Sequence, residues 1–158
     1  MSGFKIIQIA KTEIGVCEEP PNSNLNKYGL WFGWNGVAWC AEFVSWVYHM
    51  AGFPLGNIGF TKGFAGCQSA YSHFLKTKEI TTSPQMGDIV LFDWNGDHRY
   101  DHVGLFVKWA DEAKGIFETI EGNTSLTNDS NGGSVMSRTR NKKVAVFIHP
   151  KVLDKNTL

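Results

Sequence analysis

Cys40 sits between Trp39 and the apolar run of "WCAEFVSWV", and the chemistry open to it depends on what that run becomes. If the run is a helix, Cys40 lies in its first turn, where backbone N–H groups and the positive end of the helix dipole favour thiolate over thiol. The same N–H groups can hold the oxyanion that forms when a thiolate adds to a carbonyl. Position alone does not separate such a nucleophile from a buried, inert thiol. A base is needed. Of the five histidines, His49 and His73 fall inside helical patterns, His98 in a polar loop and His149 beside Pro150, whereas His102 opens the strand-like "HVGLFVKW". A strand fixes the imidazole, as a general base requires, although a strand-edge histidine without function has the same signature. In "FETIEGNTS", Glu121 and Asn123 are two apart and so project to one face of a strand. Either could accept the ring N–H of His102 and free the other nitrogen for the thiol, or the pair could be a plain strand exit.

The elements that must position these residues are legible in outline. Phe4, Ile7, Ala10 and Ile14 recur at helical spacing, predicting a helix over 3–14 that Gly15 ends. Val44, Val47 and Ala51 predict a second over 39–51, stopped by Gly52 and Pro54, and "GCQSAYSHFLK" predicts a third. Between the first two, "CEEPPNSNLNKYGLWFGWNG" reads as an ordered loop. After Pro84 the texture changes to short apolar or alternating segments at 89–92, 103–109, 115–120, 134–137 and 144–148. Helices first and strands afterwards imply an α+β domain with an antiparallel sheet of about five strands. Residues 1–150 form one domain and 151–158 a tail that frays or begins a linker.

Composition narrows the partners. Fifteen basic residues balance fifteen acidic ones across 158 positions, so no bulk charge draws the chain to nucleic acid or anionic lipid. Three cysteines without a C-x-x-C pair argue against a disulfide scaffold or a structural zinc, so reduced thiols are expected, with Cys17 and Cys67 as filler. No segment approaches the ~20 apolar residues of a membrane span, and the N-terminus carries no basic leader before an apolar core. The expectation is a monomeric protein made in a cytoplasm, without membrane insertion.

The segments "WCAEFVSWVYHMAGFP", "GDIVLFDWNGDHRYDHVGLFV" and "IEGNTS" resemble the cysteine, histidine-dependent amidohydrolase/peptidase (CHAP) family of phage endolysins and bacterial autolysins. The resemblance spans nearly the whole chain. It implies a papain-like fold and hydrolysis of amide bonds in peptidoglycan, the expected partner, reached after release from the cell that makes the protein. The family's nucleophile falls on Cys40, its base on His102, its ring-orienting acid on Glu121 and an accessory polar residue on Asn123. No cofactor is required for that chemistry.

Several phage members carry an aspartate loop for calcium before the cysteine, but "GLWFGWNGVAW" has no carboxylate. A different loop, "DWNGDHRYD", sets Asp93, Asn95, Asp97 and Asp101 at positions 1, 3, 5 and 9 of a calcium loop. His98 stands where such loops want glycine, so a structural calcium and an acidic β-turn remain alternatives. Asn35 is a candidate second oxyanion donor or a turn residue, and Trp31, Trp34, Trp39 and Trp94 are candidate groove walls. Two other classes stay open: a wall glycosidase using Glu118 and Glu121, whose spacing of three puts them on opposite strand faces, and a non-catalytic wall-binding module.

Overall fold

The computed structural model describes residues 1–155. Four helices come first: α1 (Ser2–Thr12), α2 (Lys27–Phe32), α3 (Cys40–Met50) and α4 (Cys67–Lys76). Six strands follow: β1 (Ile80–Thr81), β2 (Ile89–Phe92), β3 (His102–Asp111), β4 (Ile116–Thr124), β5 (Ser134–Asn141) and β6 (Ala145–Ile148). All pairings are antiparallel, in the order β1-β6-β2-β3-β4-β5. The expected α+β class holds, with one strand more than the sequence pattern suggests. That strand, β1, is two residues paired to β6, too short to show an alternation.

The sequence reads 17–36 as a loop, yet Lys27–Phe32 is a single short helix. Asn26 caps it by accepting the N–H groups of Tyr28 and Gly29, and Gly33 ends it at φ 98°. Such caps act locally, and six residues with a glycine inside leave no apolar period to read. In α1 the buried face is Ile6, Ile7 and Ala10, while Phe4 and Ile14 are exposed. The helix is therefore rotated from the predicted stripe.

Helix α3 is the central element. Ala41, Phe43, Val44, Val47 and Tyr48 have no exposed surface. Each large apolar side chain so buried contributes about 1.5–3 kcal/mol, enough to explain why a helix of eleven residues holds its place. It packs on β3 and β4, whose inward residues Val103, Leu105 and Ile120 join its core cluster. At Gly122 on β4 a Cβ would come within 2.7 Å of Phe43 Cβ and 2.9 Å of Trp39 Cζ3. The helix thus rests directly on strand backbone. On the opposite sheet face Val90, Phe92, Phe106, Phe117 and Phe147 form a second, aromatic cluster.

The tail expected from residue 151 is docked as far as it is described. Lys151–Asp154 make a 3-10 turn, Leu153 is buried, and Ser2 Oγ donates to the Leu153 carbonyl at 2.8 Å. Residues 156–158 of that tail lie outside the described residues.

Candidate active site

Cys40 is the first residue of α3, with Trp39 at the N-cap position, as the sequence pattern implies. The residue is 6% exposed. His102 is the first residue of β3, and alternation puts its ring on the aromatic sheet face, against Phe92 at 5.9 Å and Trp94 at 6.1 Å between centroids. Cys40 belongs to the layer on the other face. Each opens its element, and the two are near enough that each shifts the titration of the other.

Glu121 settles the alternative left open by spacing. Its Oε1 is 2.9 Å from His102 Nε2, and both side chains are fully buried. His102 Nδ1 is buried without a hydrogen-bond partner among the described residues, so it is the nitrogen left for the thiol. Asn123 does not share this role. A register shift between Glu121 and Thr124 interrupts the alternation, and Asn123 adopts φ 55°. Its side chain donates to Asn131 Oδ1 at 3.2 Å and accepts from Gly133 N–H at 3.3 Å, which ties down the loop after β4.

The carboxylate is held by more than the imidazole. Arg140 on β5 donates from Nε to Glu121 Oε2 at 2.8 Å and from Nη2 to Oε1, and Thr119 Oγ1 donates to Oε2. Arg140 also reaches Asp129 at 2.8 Å and lies 4.8 Å over the Trp94 ring. Sequence reasoning missed this arginine. A charged residue in the alternating edge-strand run "SRTRN" normally faces solvent, and nothing local indicates that this one is 9% exposed. Gly104 on β3 makes room for the acid, since a Cβ there would lie 2.6 Å from Glu121 Cγ.

These contacts set the protonation states. Burial alone would raise Glu121, but the hydrogen bonds and charges of Arg140 and His102 outweigh it and hold the carboxyl at about 2. Burial alone would lower His102, but interaction with Cys40 and the hydrogen bond and charge of Glu121 raise it to about 9. Cys40 is driven well below the ordinary thiol range by hydrogen bonding from Cys67, against burial, and further by His102 and the Val103 backbone N–H. Both directions favour a thiolate beside an imidazolium. Glu42, in the first turn of α3 and with neither oxygen partnered among the described residues, is raised to about 8 by burial and then by the Cys40 charge. A neutral acid there adds no second negative charge beside the thiolate.

A CHAP-domain family model matches residues 32–123. The chain belongs to the CHAP family. CHAP domains are generally hydrolases that act on peptidoglycan, and the match runs from just before Cys40 to Asn123, taking in Cys40, His102, Glu121 and Asn123. No curated protein matches the chain. Within this CHAP domain no described helix is long and apolar enough to cross a membrane.

The other expected site residues divide. Trp39 is no groove wall: it is fully buried, stacked on Tyr28 at 5.4 Å, and its indole N–H donates to Glu18 at 3.0 Å. Trp34 is 49% exposed against Phe60, and Trp31 lies under Lys62. Trp94, by contrast, borders His102. Asn35 Oδ1 accepts the N–H groups of Asn26 and Gly36, each at 3.1 Å, as a turn residue does. In the candidate calcium loop, Asp93 accepts from Gly96 and His98 N–H, Asp97 from Arg99 N–H, and Asp101 from Trp94 N–H. Among the described residues no three His, Cys, Asp or Glu side chains group to hold a metal ion. Asp93, Asn95, Asp97 and Asp101 therefore act as turn formers with their oxygens facing the loop's own backbone, a poor fit to calcium, and no chemistry is assigned to that ion.

Proposed function

We propose that this CHAP domain hydrolyses an amide bond of bacterial peptidoglycan, as amidase or endopeptidase, through a thioester on Cys40. The observation that carries the reading is a buried His102 bound to Glu121 through Nε2, with an unpartnered Nδ1 beside a thiol at the start of a helix. Cys40 thiolate attacks the carbonyl carbon, and the oxyanion sits against the first-turn N–H groups of α3, which have no intrahelical acceptor. The His102 imidazolium gives its proton to the departing amine as the C–N bond breaks. His102 then takes a proton from water, hydroxide adds to the thioester, and Cys40 leaves as thiolate. Glu121, fixed by Arg140, keeps the ring in one orientation through both halves. A phage endolysin, whole or in part, is the setting this reading favours, since the segments around Cys40, His102 and Glu121 resemble a family that includes phage endolysins and bacterial autolysins. Asn123 serves as a loop anchor in it rather than as a second orienter.

The glycosidase alternative loses support from the same geometry. A carboxyl held at about 2 cannot serve as the general acid, and Glu118 is paired at the surface with Lys108 at 3.9 Å. The test is Cys40→Ala with purified cell walls, following new amino groups and fragment masses. The expected result is loss of cleavage with a melting temperature close to that of the parent. Undiminished cleavage by the variant would overturn the cysteine mechanism, a wild-type protein that binds walls without cutting them would favour a binding module, and the fragment masses assign the scissile bond.

A further inference from the structure

Glu18 is a buried acid that the mechanism leaves unused. It is 7% exposed, and a carboxylate so buried is rarely left without a cation. Among the described residues it forms no ion pair. Its Oε1 accepts the indole N–H of Trp39 at 3.0 Å, and Oε2 takes no hydrogen bond from any described residue. The acid lines a cavity of about 200 Å³ whose other walls include Pro21, Asn22, Gly133 and Ser134. Trp39 immediately precedes Cys40, so a single indole links this carboxylate to the backbone beside the nucleophile.

Both walls of the cavity are fixed by backbone. Gly15 N–H donates to the Val135 carbonyl, Val135 N–H to that of Val16 and Glu18 N–H to that of Gly133, each at 2.9 Å, which lays residues 15–18 along the start of β5. From the other side Asn123 holds the glycine pair, its carbonyl accepting Gly132 N–H at 3.0 Å and its Oδ1 accepting Gly133 N–H at 3.3 Å. A Cβ at Gly133 would lie 3.3 Å from Glu18 Oε2, so glycine there keeps the free oxygen clear. The chemistry of that oxygen selects a ligand. A guanidinium grips both oxygens of a carboxylate in its fork, but one of these is already committed to Trp39. A primary ammonium is a point charge with three donors: Oε2 neutralises it, and Asn22 and Ser134 bring further oxygens to the wall.

We propose, on the reading that Cys40 is the nucleophile of a wall hydrolase, that Glu18 and its cavity are a substrate subsite for a side-chain primary ammonium in the peptide part of the wall. Glu18 is then a specificity-determining residue: it touches the substrate's charge and takes no part in bond breaking. Walls whose peptide amines are free are preferred. Acylation of that amine removes the charge and leaves Glu18 buried against a neutral amide, which costs the complex its one ionic contact at this cavity. Asn123 gains a purpose in the same picture, since it holds the glycines that keep the carboxylate open to the ligand.

The experiment measures binding apart from cleavage. The full chain carrying Cys40→Ala is titrated calorimetrically with a wall stem peptide acetylated at its N-terminus, whose one amine is a lysine side chain, and with the same peptide acetylated there too. The free-amine peptide is expected to bind about tenfold more tightly than the capped one. Adding Glu18→Gln, which keeps an oxygen for the Trp39 N–H, should erase that difference with the melting temperature unchanged. In the protein with Cys40 intact, Glu18→Gln should raise KM about tenfold for amine-bearing walls, leaving kcat and the KM for acetylated walls as they were. Equal affinity of the parent for the two peptides, or binding of neither, would overturn the subsite, and both readings are made without altering Glu18. Discrimination that persists undiminished in Glu18→Gln would overturn the role of that carboxylate. A protein that discriminates between the peptides but cuts no wall would support the subsite and count against the hydrolase, whereas cleavage of walls without discrimination would count against the subsite alone.

Discussion

His102 and His149 both sit at the end of a strand, and each lies within 2.9 Å of a carboxylate, yet they are built for opposite purposes. His149 spends both nitrogens: Nδ1 is 2.6 Å from Asp88 and Nε2 is 2.9 Å from Asp154. It clasps the C-terminal turn to the sheet. His102 spends one nitrogen on Glu121 and keeps the other, buried and unpartnered, for Cys40. The carboxylates differ as well. Glu121 is gripped by a buried arginine and held at about 2, whereas burial raises Asp88 in spite of its hydrogen bonds from Gln85 and His149. An ion pair becomes a reactive site when one member is fixed from behind and the other left with a free valence. Saturating both nitrogens makes a structural link instead.

The widest separation between the two should appear in catalysis. His102→Ala is expected to lower wall cleavage by about 10²–10⁴-fold, the usual contribution of a positioned base, while His149→Ala leaves the rate unchanged. Equal rates for His102→Ala and the parent would erase the distinction. Next in size is stability. Arg140→Ala strands Glu121 as a buried charge and is expected to cost about 3–5 kcal/mol in denaturant unfolding. Restoring a cation with Arg140→Lys should recover part of the stability and little of the bidentate geometry, leaving cleavage impaired.

A third expectation concerns pH. His102, raised from 6.5 to about 9, adds stability that is fully present below its unfolded value and is lost as pH rises through about 9. Glu121, lowered from 4.5 to about 2, adds stability that is present above its unfolded value and is lost as pH falls toward about 2. Iodoacetamide should therefore alkylate Cys40 readily at about pH 6, where an ordinary thiol is protonated. In His102→Ala the alkylation profile should move to higher pH, and an unmoved profile would break the assigned thiolate–imidazolium pair. The smallest effect belongs to the clasp: Asp154 is exposed, and Asp154→Ala should cost no more than about 1 kcal/mol by thermal unfolding, with cleavage unaffected.

Much of this was legible in the sequence, and the exceptions share a cause. The run 89–92 emerges as strand β2 over the predicted residues, and Cys40 opens its helix, because both signals lie within a few neighbouring residues. Glu121 and Asn123 could not be separated, since two residues apart on a regular strand means the same face. Only the register shift after Glu121 and the left-handed Asn123 backbone part them, and those arise from pairing with β5 and from the loop beyond. Arg140 was invisible for a similar reason. It acts on the site from a segment distant in sequence, through a fold whose layers no local pattern encodes.

Gly104 and Gly122 bear on how this protein could be engineered. Neither has the positive φ that usually explains a glycine; both instead lie where a methyl group would strike the site's own framework. Replacing glycine by alanine is a common route to heat-resistant variants, because it restricts the unfolded chain. At these two positions the added methyl would push on Glu121 or on Phe43 and Trp39 beneath the nucleophile's helix. A thermostabilisation campaign should therefore leave both untouched, and a library randomised at 104 and 122 should return glycine when selected for lysis even if it returns other residues when selected for solubility.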